Sequence, residues 1–419
     1  MKKLDHTILI VRPEGFWSSW LGATRRIMFV AKLFHSKGWE VILLASRRSK
    51  SKADLIQEAA FPGKVIRTTF TGGYPYLFDL FEGLRRLYRL MWRLRGKTYY
   101  IRKLELGWAF RLQSWVGLDQ IIRKPSVIWA ISTGSMGGLI GGTFLSRFFS
   151  CPLIVEIQDP VLYSISEYSD PTLENQINDC YHESAAIITV TNTLADYLKF
   201  NYPKNESKIH TVHLSFDEEK KPSDRERNDG KLVLLHAGAL AGGVGRNARA
   251  LIQGIAEVSL IEPSAKGKIE LKLLGAGKGA DEAAKIAENY KLSNIVMILP
   301  ECSLEDAYRE MDLSDVLVVI KYDNANFDMQ IPGKLFQYLG RGKPILGIMR
   351  KTEAAEILIQ SGIGIVVGHD SKVIAESILN LWNNRDRLRA VFKPDWRYIN
   401  QFSGVNTRIK ISKILDGVL

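Results

Sequence analysis

The stretch Ile331 to Ile345, IPGKLFQYLGRGKPI, places a lysine where a helix is least expected to carry one. Pro332 suits the first helical position and Gly342 with Pro344 marks the end, so about ten residues between them are predicted to be helical. Lys334 then lies in the first turn, where its charge opposes the helix macrodipole at a cost of about 0.3–1 kcal/mol. A bound anion would reverse that cost, because free N–H groups and Lys334 together suit a phosphate. A solvated surface lysine is the competing interpretation.

Short apolar runs alternate with helical stretches on the N-terminal side of this segment and beyond it. They are TILIVR, EVILLAS, SVIWAIS, PLIVEIQ, AIITVT and IHTVHLS in the first half, and LVLLHAG, IELKLLG, NIVMILP, DVLVVIK, PILGIM and IGIVV in the second. Nearly continuous apolar runs of this length are typical of parallel strands that are buried on both faces. The sequence therefore predicts an α/β protein with two doubly wound, Rossmann-like domains.

The length of 419 residues and a hydrophobic content of 46% also favour two domains, because a single core rarely grows to this size. The polar stretch 217–231, DEEKKPSDRERNDGK, has no apolar face to bury and is predicted to be a linker. We therefore expect one domain over residues 1–216 and a second over 232–395. A C-terminal helix at about 396–419 is expected to pack back onto the first domain.

Three widely spaced cysteines, Cys151, Cys180 and Cys302, show no metal-binding spacing and are predicted to be reduced thiols, which favours the cytoplasm. A strand explains the apolar run near the N-terminus, so no signal peptide is predicted. The longest uncharged stretch, 126–146, is rich in Gly, Ser and Thr, and a membrane span is not expected there.

The net charge of +12 is concentrated in one part of the chain. Residues 76–124 contain 11 Lys and Arg against 4 Asp and Glu, or 11 − 4 = +7, among many aromatic and leucine residues. Within them Arg85, Arg89 and Arg93 share one helical face, opposite a leucine-rich face. The segment 77–124 is therefore predicted to lie on an anionic membrane surface, with a helix covering the protein core as the alternative. Nucleic-acid binding is not expected, because basic charge without a recognition motif is not specific.

The loops after the predicted strands of the second half contain glycines and basic residues. LVLLHAG is followed by Gly242, Gly243 and Gly245, which permit a close approach of the backbone, and by Arg246 at the predicted start of the next helix. This loop is a second candidate for phosphate binding. The turn 276–279 is predicted to be only a tight connection.

Two further features follow the strand NIVMILP. Its end, Pro300 and Glu301, is placed to meet a nucleotide base, and Ser303 with Asp306 is predicted to cap the following helix.

Two sets of residues in the first half are candidates for a site. Gly22 precedes a predicted helix that begins near Arg25 and Arg26, which suit an anion or are simply solvated. The segment EIQDP places Glu156 and Asp159 on opposite faces of a strand, so they are not an obvious acid and base pair. Asp159, at the end of the strand, is the better candidate, with a turn-forming role before the following proline as the alternative.

These segments together resemble the GT-B-fold glycosyltransferases, specifically the retaining family 4 type that uses nucleotide-diphosphate sugars. PGKLFQYLGRGKPILG is similar to the family pattern Pro-x-Lys-Leu-x-Glu-Tyr-Leu-x-x-Gly-Lys-Pro. LLHAGAL with Arg246, DLSDVLVV and SGIGIVV resemble elements of the donor domain, and HSKGWEVILLA, VEIQDP and HLSFDEE resemble elements of the acceptor domain. The resemblance spans nearly the whole chain.

The resemblance implies two domains that face each other across a cleft, with the second domain binding the donor nucleotide and the first binding the acceptor. It implies a phosphate clamp of Arg246 and Lys334 and a ribose contact from Gln337. The full set of implied donor-binding residues is Gly238, Gly243, Arg246, Gly275, Pro300, Glu301, Asp328, Pro332, Gly333, Lys334, Leu335 and Gln337. Gly22, Arg25 and Arg26 are the expected acceptor-side residues.

The chain departs from the family pattern at two positions. The family commonly carries glutamates where this chain has Gln337 and Met329, and Asp328 is the expected substitute for the second. Asp159, Arg246 and Lys334 are the predicted catalytic residues, and retention by front-face substitution is implied.

No cofactor and no metal are expected, because the sequence contains no Asp-x-Asp motif. The predicted acceptor is a glycan or lipid-linked glycan at the cytoplasmic face of the membrane. A nucleotide-sugar epimerase or hydrolase, and a non-catalytic subunit of a glycan-assembly complex, are the alternatives.

Overall fold

The computed structural model describes residues 6–13, 22–46, 52–68, 123–134, 136–160, 171–216, 229–241 and 245–419. These residues form two compact units. The N-terminal unit comprises Met1–His213 with Arg408–Leu419, and the C-terminal unit comprises Leu214–Thr407. The predicted membrane-binding segment 77–122 and linker residues 217–228 lie outside the described residues.

The N-terminal unit contains a parallel sheet of seven strands in the order β3-β2-β1-β4-β5-β6-β7. The strands are β1 Thr7–Val11, β2 Glu40–Ser46, β3 Lys64–Thr68, β4 Val127–Thr133, β5 Leu153–Asp159, β6 Ala186–Thr189 and β7 Ile209–Thr211. The helices among the described residues of this unit are α1 Gly22–Ser36, α2 Lys52–Ala59, α3 Gly137–Phe149, α4 Pro171–Glu183 and α5 Asn192–Asn201. The central strands are buried, apart from the last residues of β4 and β5, as is typical of parallel strands.

The C-terminal unit contains a parallel sheet of six strands in the order β10-β9-β8-β11-β12-β13. The strands are β8 Leu232–Ala237, β9 Ile269–Leu274, β10 Val296–Leu299, β11 Val316–Ile320, β12 Ile345–Ile348 and β13 Gly364–Val367. The described helices are α6 Arg249–Ile261, α7 Ala280–Asn289, α8 Leu304–Leu313, α9 Gly333–Leu339, α10 Glu353–Gln360, α11 Ser371–Asn383, α12 Leu388–Val391 and α13 Trp396–Ile399. The last helix, α14 Gly404–Asp416, begins in this unit, and its residues from Arg408 onward belong to the N-terminal unit. From α14, Ile411 and Leu415 enter the core of the N-terminal unit.

The fold class predicted from the apolar runs is confirmed, since each of the twelve runs contains a strand. A thirteenth strand, β3 (KVIRT), was not predicted. This strand lies at the sheet edge and buries Ile66 while its Lys64 stays exposed, so its sequence lacks the continuous apolar character of the other strands. No helix within the described ranges is both long and apolar enough to cross a membrane.

Candidate functional site

Both sheets reverse their strand order at one point, and ligands of open parallel sheets bind at such points, beyond the carboxyl ends of the strands. In the C-terminal unit the reversal lies between β8 and β11. The residues that leave these two strand ends are Gly238 on one side and Lys321 with Tyr322 on the other. The helix α9, which carries Lys334, follows β11 in the chain.

Lys334 contacts the end of β8 through His236. The Lys334 Nζ atom lies 2.8 Å from His236 Nε2, although the two residues are 98 positions apart. His236 is fully buried, and its Nδ1 atom lies 3.0 Å from the Val318 carbonyl oxygen. Because a carbonyl can only accept, Nδ1 carries the proton and Nε2 accepts from the amino group of Lys334. His236 is therefore held as a neutral ring that fixes the end of the lysine side chain.

The backbone around Gly238 is shaped to admit this lysine. Gly238 has φ +105°, and a Cβ at this position would lie 3.2 Å from the Lys334 Nζ atom. Any side chain here would be strained and would crowd the Lys334 amino group. The hydroxyl of buried Tyr338 accepts a hydrogen bond of 2.8 Å from the Ala237 N–H, so α9 is tied to the end of β8 one turn beyond Lys334.

Arg246 approaches the same edge of the sheet. It lies on a bend three residues before α6, so the prediction that it starts the helix is corrected to Arg249. The Cζ atom of its guanidinium is 5.4 Å from the centre of the Tyr322 ring, within cation–π range. Its Nε atom is buried and has no hydrogen-bond partner among the described residues.

The electrostatics of this cluster favour an anion. Burial lowers the pKa of Lys334 well below its ordinary value, and Arg246 lowers it further. Burial also lowers the pKa of His236 well below its usual range, and the charges of Lys334 and Arg246 act in the same direction. Among the described residues no carboxylate offsets these shifts. Basic groups brought together without a counter-charge are stabilised by a bound anion, so the arrangement suits a phosphate or diphosphate. We call His236, Arg246 and Lys334 the basic cluster.

Three other predicted donor residues lie at the ends of the neighbouring strands. Gly275 follows β9 with φ +65°, and the position of its missing Cβ is 3.7 Å from the Glu301 Cα atom. Pro300 and Glu301 follow β10 and are exposed. Pro332 and Gly333 are partly buried next to Lys334. Gly243 lies outside the described residues.

Three predicted donor residues have other partners in the structure. The side chain of Leu335 is fully buried and belongs to the core. Gln337 is 6% exposed, and its amide accepts from the Tyr308 hydroxyl and donates to the Ser215 carbonyl oxygen at 2.9 Å. A ribose contact from Gln337 would require these bonds to be exchanged. Asp328 forms an ion pair of 3.3 Å with Arg350.

The predicted helix containing Lys334 is shorter than expected. Pro332 occupies the N-cap and α9 ends at Leu339, because Gly340 and Gly342 already belong to a turn. The helix has seven residues. The Lys334 environment therefore depends more on His236 and Arg246 than on a helix dipole, which grows with aligned peptide units.

In the N-terminal unit the structure corrects the role of Arg26. Its Nε atom lies 3.1 Å from both carboxylate oxygens of Glu156, and an N–H donates to the Val212 carbonyl oxygen at 3.2 Å. The side chains of Arg26 and Glu156 are 2% and 0% exposed. A buried arginine with a carboxylate partner is not available for an external anion, so Arg26 is a structural residue and not an acceptor-side contact.

Three other predicted site residues belong to this unit. Asp159 is the last residue of β5, is partly buried, and has its Cβ 3.6 Å from the position a Cβ on Gly134 would take. The pairing of β4 with β5 shifts its register just before Asp159. Arg25 is partly buried in α1, and Gly22 is the first residue of that helix.

Three residues that shape the site were not predicted from the sequence, namely His236, Tyr322 and Lys321. His236 is a histidine inside an apolar strand directly before a glycine, which is the signal that would have found it. Tyr322 and Lys321 follow β11, at a strand end that the rule for parallel sheets already marks. Among the described residues no group of three or more His, Cys, Asp or Glu is placed to hold a metal ion.

No family model matches the chain, and no curated protein sequence matches it. Solved structures do match over the full length. A glycosyltransferase from Rickettsia africae ESF-5 is 13% identical with a TM-score of 0.65, and the alignment covers 99% of this chain and 98% of that one. The sucrose-phosphate synthase of Thermosynechococcus elongatus is 12% identical with a TM-score of 0.68, covering 98% of both chains.

A third match is Anabaena HepE in complex with UDP and glucose, at 14% identity and a TM-score of 0.64, covering 98% of this chain and 99% of that one. The chain has the fold of these proteins. Its two doubly wound units are of the GT-B class predicted from the sequence. At such low identity the likeness shows the fold, and activity must be argued from the site.

Proposed function

We propose that the protein is a glycosyltransferase that takes its sugar from a nucleotide-diphosphate sugar. The observation that carries this proposal is the basic cluster at the point of strand reversal in the C-terminal unit. Lys334 and Arg246 approach the same strand ends, and the described residues supply no carboxylate to neutralise them. A protein of similar fold, Anabaena HepE, has been solved with UDP and glucose, which agrees with a nucleotide diphosphate as the anion that the cluster binds.

The chemistry follows from the charge that develops during the reaction. Cleavage of the bond between the sugar and the diphosphate leaves negative charge on the departing phosphate. Fixed cations next to that phosphate stabilise the transition state more than the ground state, and loss of one such donor typically costs about 3–4 kcal/mol of barrier. Lys334 and Arg246 fill this role without a divalent cation in our proposal.

The finer parts of the proposal rest on the sequence. We propose transfer with retention of the anomeric configuration, as the resemblance to family 4 implies, with Asp159 orienting the acceptor or taking its proton. The proposed acceptor is a glycan or a lipid-linked glycan. The concentration of positive charge in 77–124 supports placement on the cytoplasmic face of an anionic membrane.

Binding of nucleotides to matched variants tests the donor site. The full chain, Lys334→Met and Arg246→Met are compared with Lys285→Met, in which an exposed lysine of α7 is changed by the same substitution. Calorimetry with UDP, GDP and ADP is expected to show binding of one of them to the wild type and to Lys285→Met. Each cluster variant is expected to bind about 10 to 150 times more weakly, the equivalent of one hydrogen bond to a charged group.

Product analysis separates this function from its alternatives. A transferase releases nucleotide diphosphate only when an acceptor is present, and the anomeric configuration of the product reports retention. Turnover of the nucleotide sugar without acceptor would indicate an epimerase or hydrolase. Binding without any turnover would indicate a non-catalytic subunit. If the wild type and both cluster variants bind each of UDP, GDP and ADP with equal affinity, the proposed donor site is overturned.

A further inference from the structure

Tyr322 is the first aromatic residue after β11 and lies beneath the guanidinium of Arg246. The backbone next to Arg246 also rests on this ring, because Gly245 has φ +124° and a Cβ there would be 2.5 Å from the Tyr322 Cδ1 atom. The ring therefore meets both the side chain of Arg246 and the main chain that leads to it. No role for Tyr322 was predicted from the sequence.

The ring of Tyr322 is itself held in place from the same loop. Phe327 stacks on it, with ring centres 4.1 Å apart and planes at 20°. Phe327 closes a turn by an N–H to the Asn324 carbonyl oxygen at 3.0 Å. With Phe327 on the ring and Arg246 over it, the ring of Tyr322 is already engaged. A role in stacking on a nucleotide base is therefore not favoured.

The loop is fixed at both ends. At its start, the Nζ atom of buried Lys321 donates to the Asp328 carbonyl oxygen at 3.1 Å. At its end, the Asp328 carboxylate pairs with Arg350. Tyr322 and Phe327 lie on the segment that these two contacts hold in place, so the aromatic pair can hold another group in position.

We propose that Tyr322 is a positioning residue that holds Arg246 toward the ligand of the basic cluster. The ring orients the guanidinium by a cation–π contact, which leaves the N–H groups of Arg246 for the phosphate. This inference rests on the proposed function, since it assigns a support to one of the two proposed phosphate ligands. Tyr322 itself does not touch the substrate in this assignment.

Three substitutions in the full chain test the assignment with UDP as the probe, together with GDP and ADP. Tyr322→Leu removes the ring and is expected to raise the dissociation constant about tenfold, as expected for loss of a cation–π contact. Tyr322→Phe keeps the ring and is expected to stay close to the wild-type value, because the ring and not the hydroxyl supports Arg246. Tyr290→Leu, the matched change at an exposed tyrosine of the same unit, is expected to have no effect.

A double substitution distinguishes positioning from a general structural effect. In the Arg246→Ala background, Tyr322→Leu is expected to cause no further loss of affinity, because the group that it positions is already gone. Circular dichroism checks that each variant is folded. If Tyr322→Leu does not fold, Phe327→Leu removes the stacked ring instead and is expected to weaken UDP binding by at least about twofold.

The outcomes for the inference and for the proposed function differ. If the affinity of Tyr322→Leu for UDP equals that of the wild type, the positioning role is overturned and the proposed function stays intact. The same holds for Phe327→Leu where that variant replaces Tyr322→Leu. Equal losses of UDP affinity in Tyr322→Phe and Tyr322→Leu also overturn the positioning role. So does a further loss of affinity when Tyr322→Leu is added to Arg246→Ala. Absence of binding of all three nucleotides to the wild type overturns both.

Discussion

The buried pair of Arg26 and Glu156 gives the sharpest stability test in the N-terminal unit. Arg26→Met removes the charged partner of a carboxylate that is 0% exposed. Glu156 would keep two neutral donors, Trp129 Nε1 at 3.0 Å and Gln158 Nε2 at 2.8 Å, which do not balance its charge. Removal of one partner of a buried ion pair typically destabilises a protein by about 3–5 kcal/mol. That is a large part of the total stability of a domain, about 5–15 kcal/mol.

The effect is expected in the described strands that meet at Glu156. Hydrogen exchange of peptides from β4 and β5 would measure it locally, and urea denaturation followed by circular dichroism would measure it globally. Lys32→Met, at an exposed position of the same helix, is the matched control and is expected to change stability by less than about 0.5 kcal/mol. The double variant Arg26→Met, Glu156→Gln is expected to lose less than the sum of the single changes, because neither charge remains unpaired.

The opposite result would restore the acceptor-side role that the sequence suggested for Arg26. If Arg26→Met and Lys32→Met unfold at the same urea concentration while only Arg26→Met loses acceptor binding, the arginine serves the substrate and not the fold. Unchanged exchange in β4 and β5 would point the same way. If Arg26 stabilises the fold, protection of these strands in Arg26→Met falls before any substrate is added.

Three further predictions concern the C-terminal unit. Binding of UDP is expected to take up protons and to weaken as pH rises, because an anion returns the lowered pKa of Lys334 toward its ordinary value. Calorimetry in buffers of different ionisation enthalpy measures this proton uptake. Equal heats of binding in all buffers would contradict it. Burial lowers the pKa of Lys321 from 10.5 to about 8, so the folded state binds fewer protons than the unfolded state between these values and stability rises with pH there. Lys321→Met is expected to remove about 3 kcal/mol of that rise, from 10.5 − 8 = 2.5 pKa units at about 1.36 kcal/mol each, and an unchanged slope of denaturation free energy against pH would refute it. Gly238→Ala is expected to weaken UDP binding and to cost about 1–3 kcal/mol of stability, whereas Gly230→Ala, also at positive φ but with open space around it, is expected to leave UDP binding unchanged.

Part of the candidate site was predictable because its signals are local. The position of Lys334 in a first turn follows from Pro332 and the apolar spacing after it, and the structure begins α9 at Gly333. The predicted cap of α8 is confirmed, since the Ser303 hydroxyl accepts from the Asp306 N–H at 3.1 Å. Each of these features depends on residues within one or two turns of each other.

The rest of the site depends on contacts that no local pattern encodes. Arg25 and Arg26, near the start of a helix, fit the sequence pattern of an anion site. The side chain of Arg26 nevertheless donates to Glu156, 130 positions away. Gln337 similarly fits a ribose contact in the sequence pattern, but the structure engages its amide with Tyr308 and Ser215. The sequence shows which side chains carry charge and not which of them are neutralised.

The sequence alone determined that two parallel-sheet units would form, because the apolar runs and the intervening amphipathic helices are each set by neighbouring residues. Only the tertiary structure decided which strand ends meet, and hence that His236 fixes Lys334 across 98 positions while Tyr322 supports Arg246. The physical reason is that sheet order brings together residues far apart in the chain. Burial then determines which charges keep a partner and which still need a ligand.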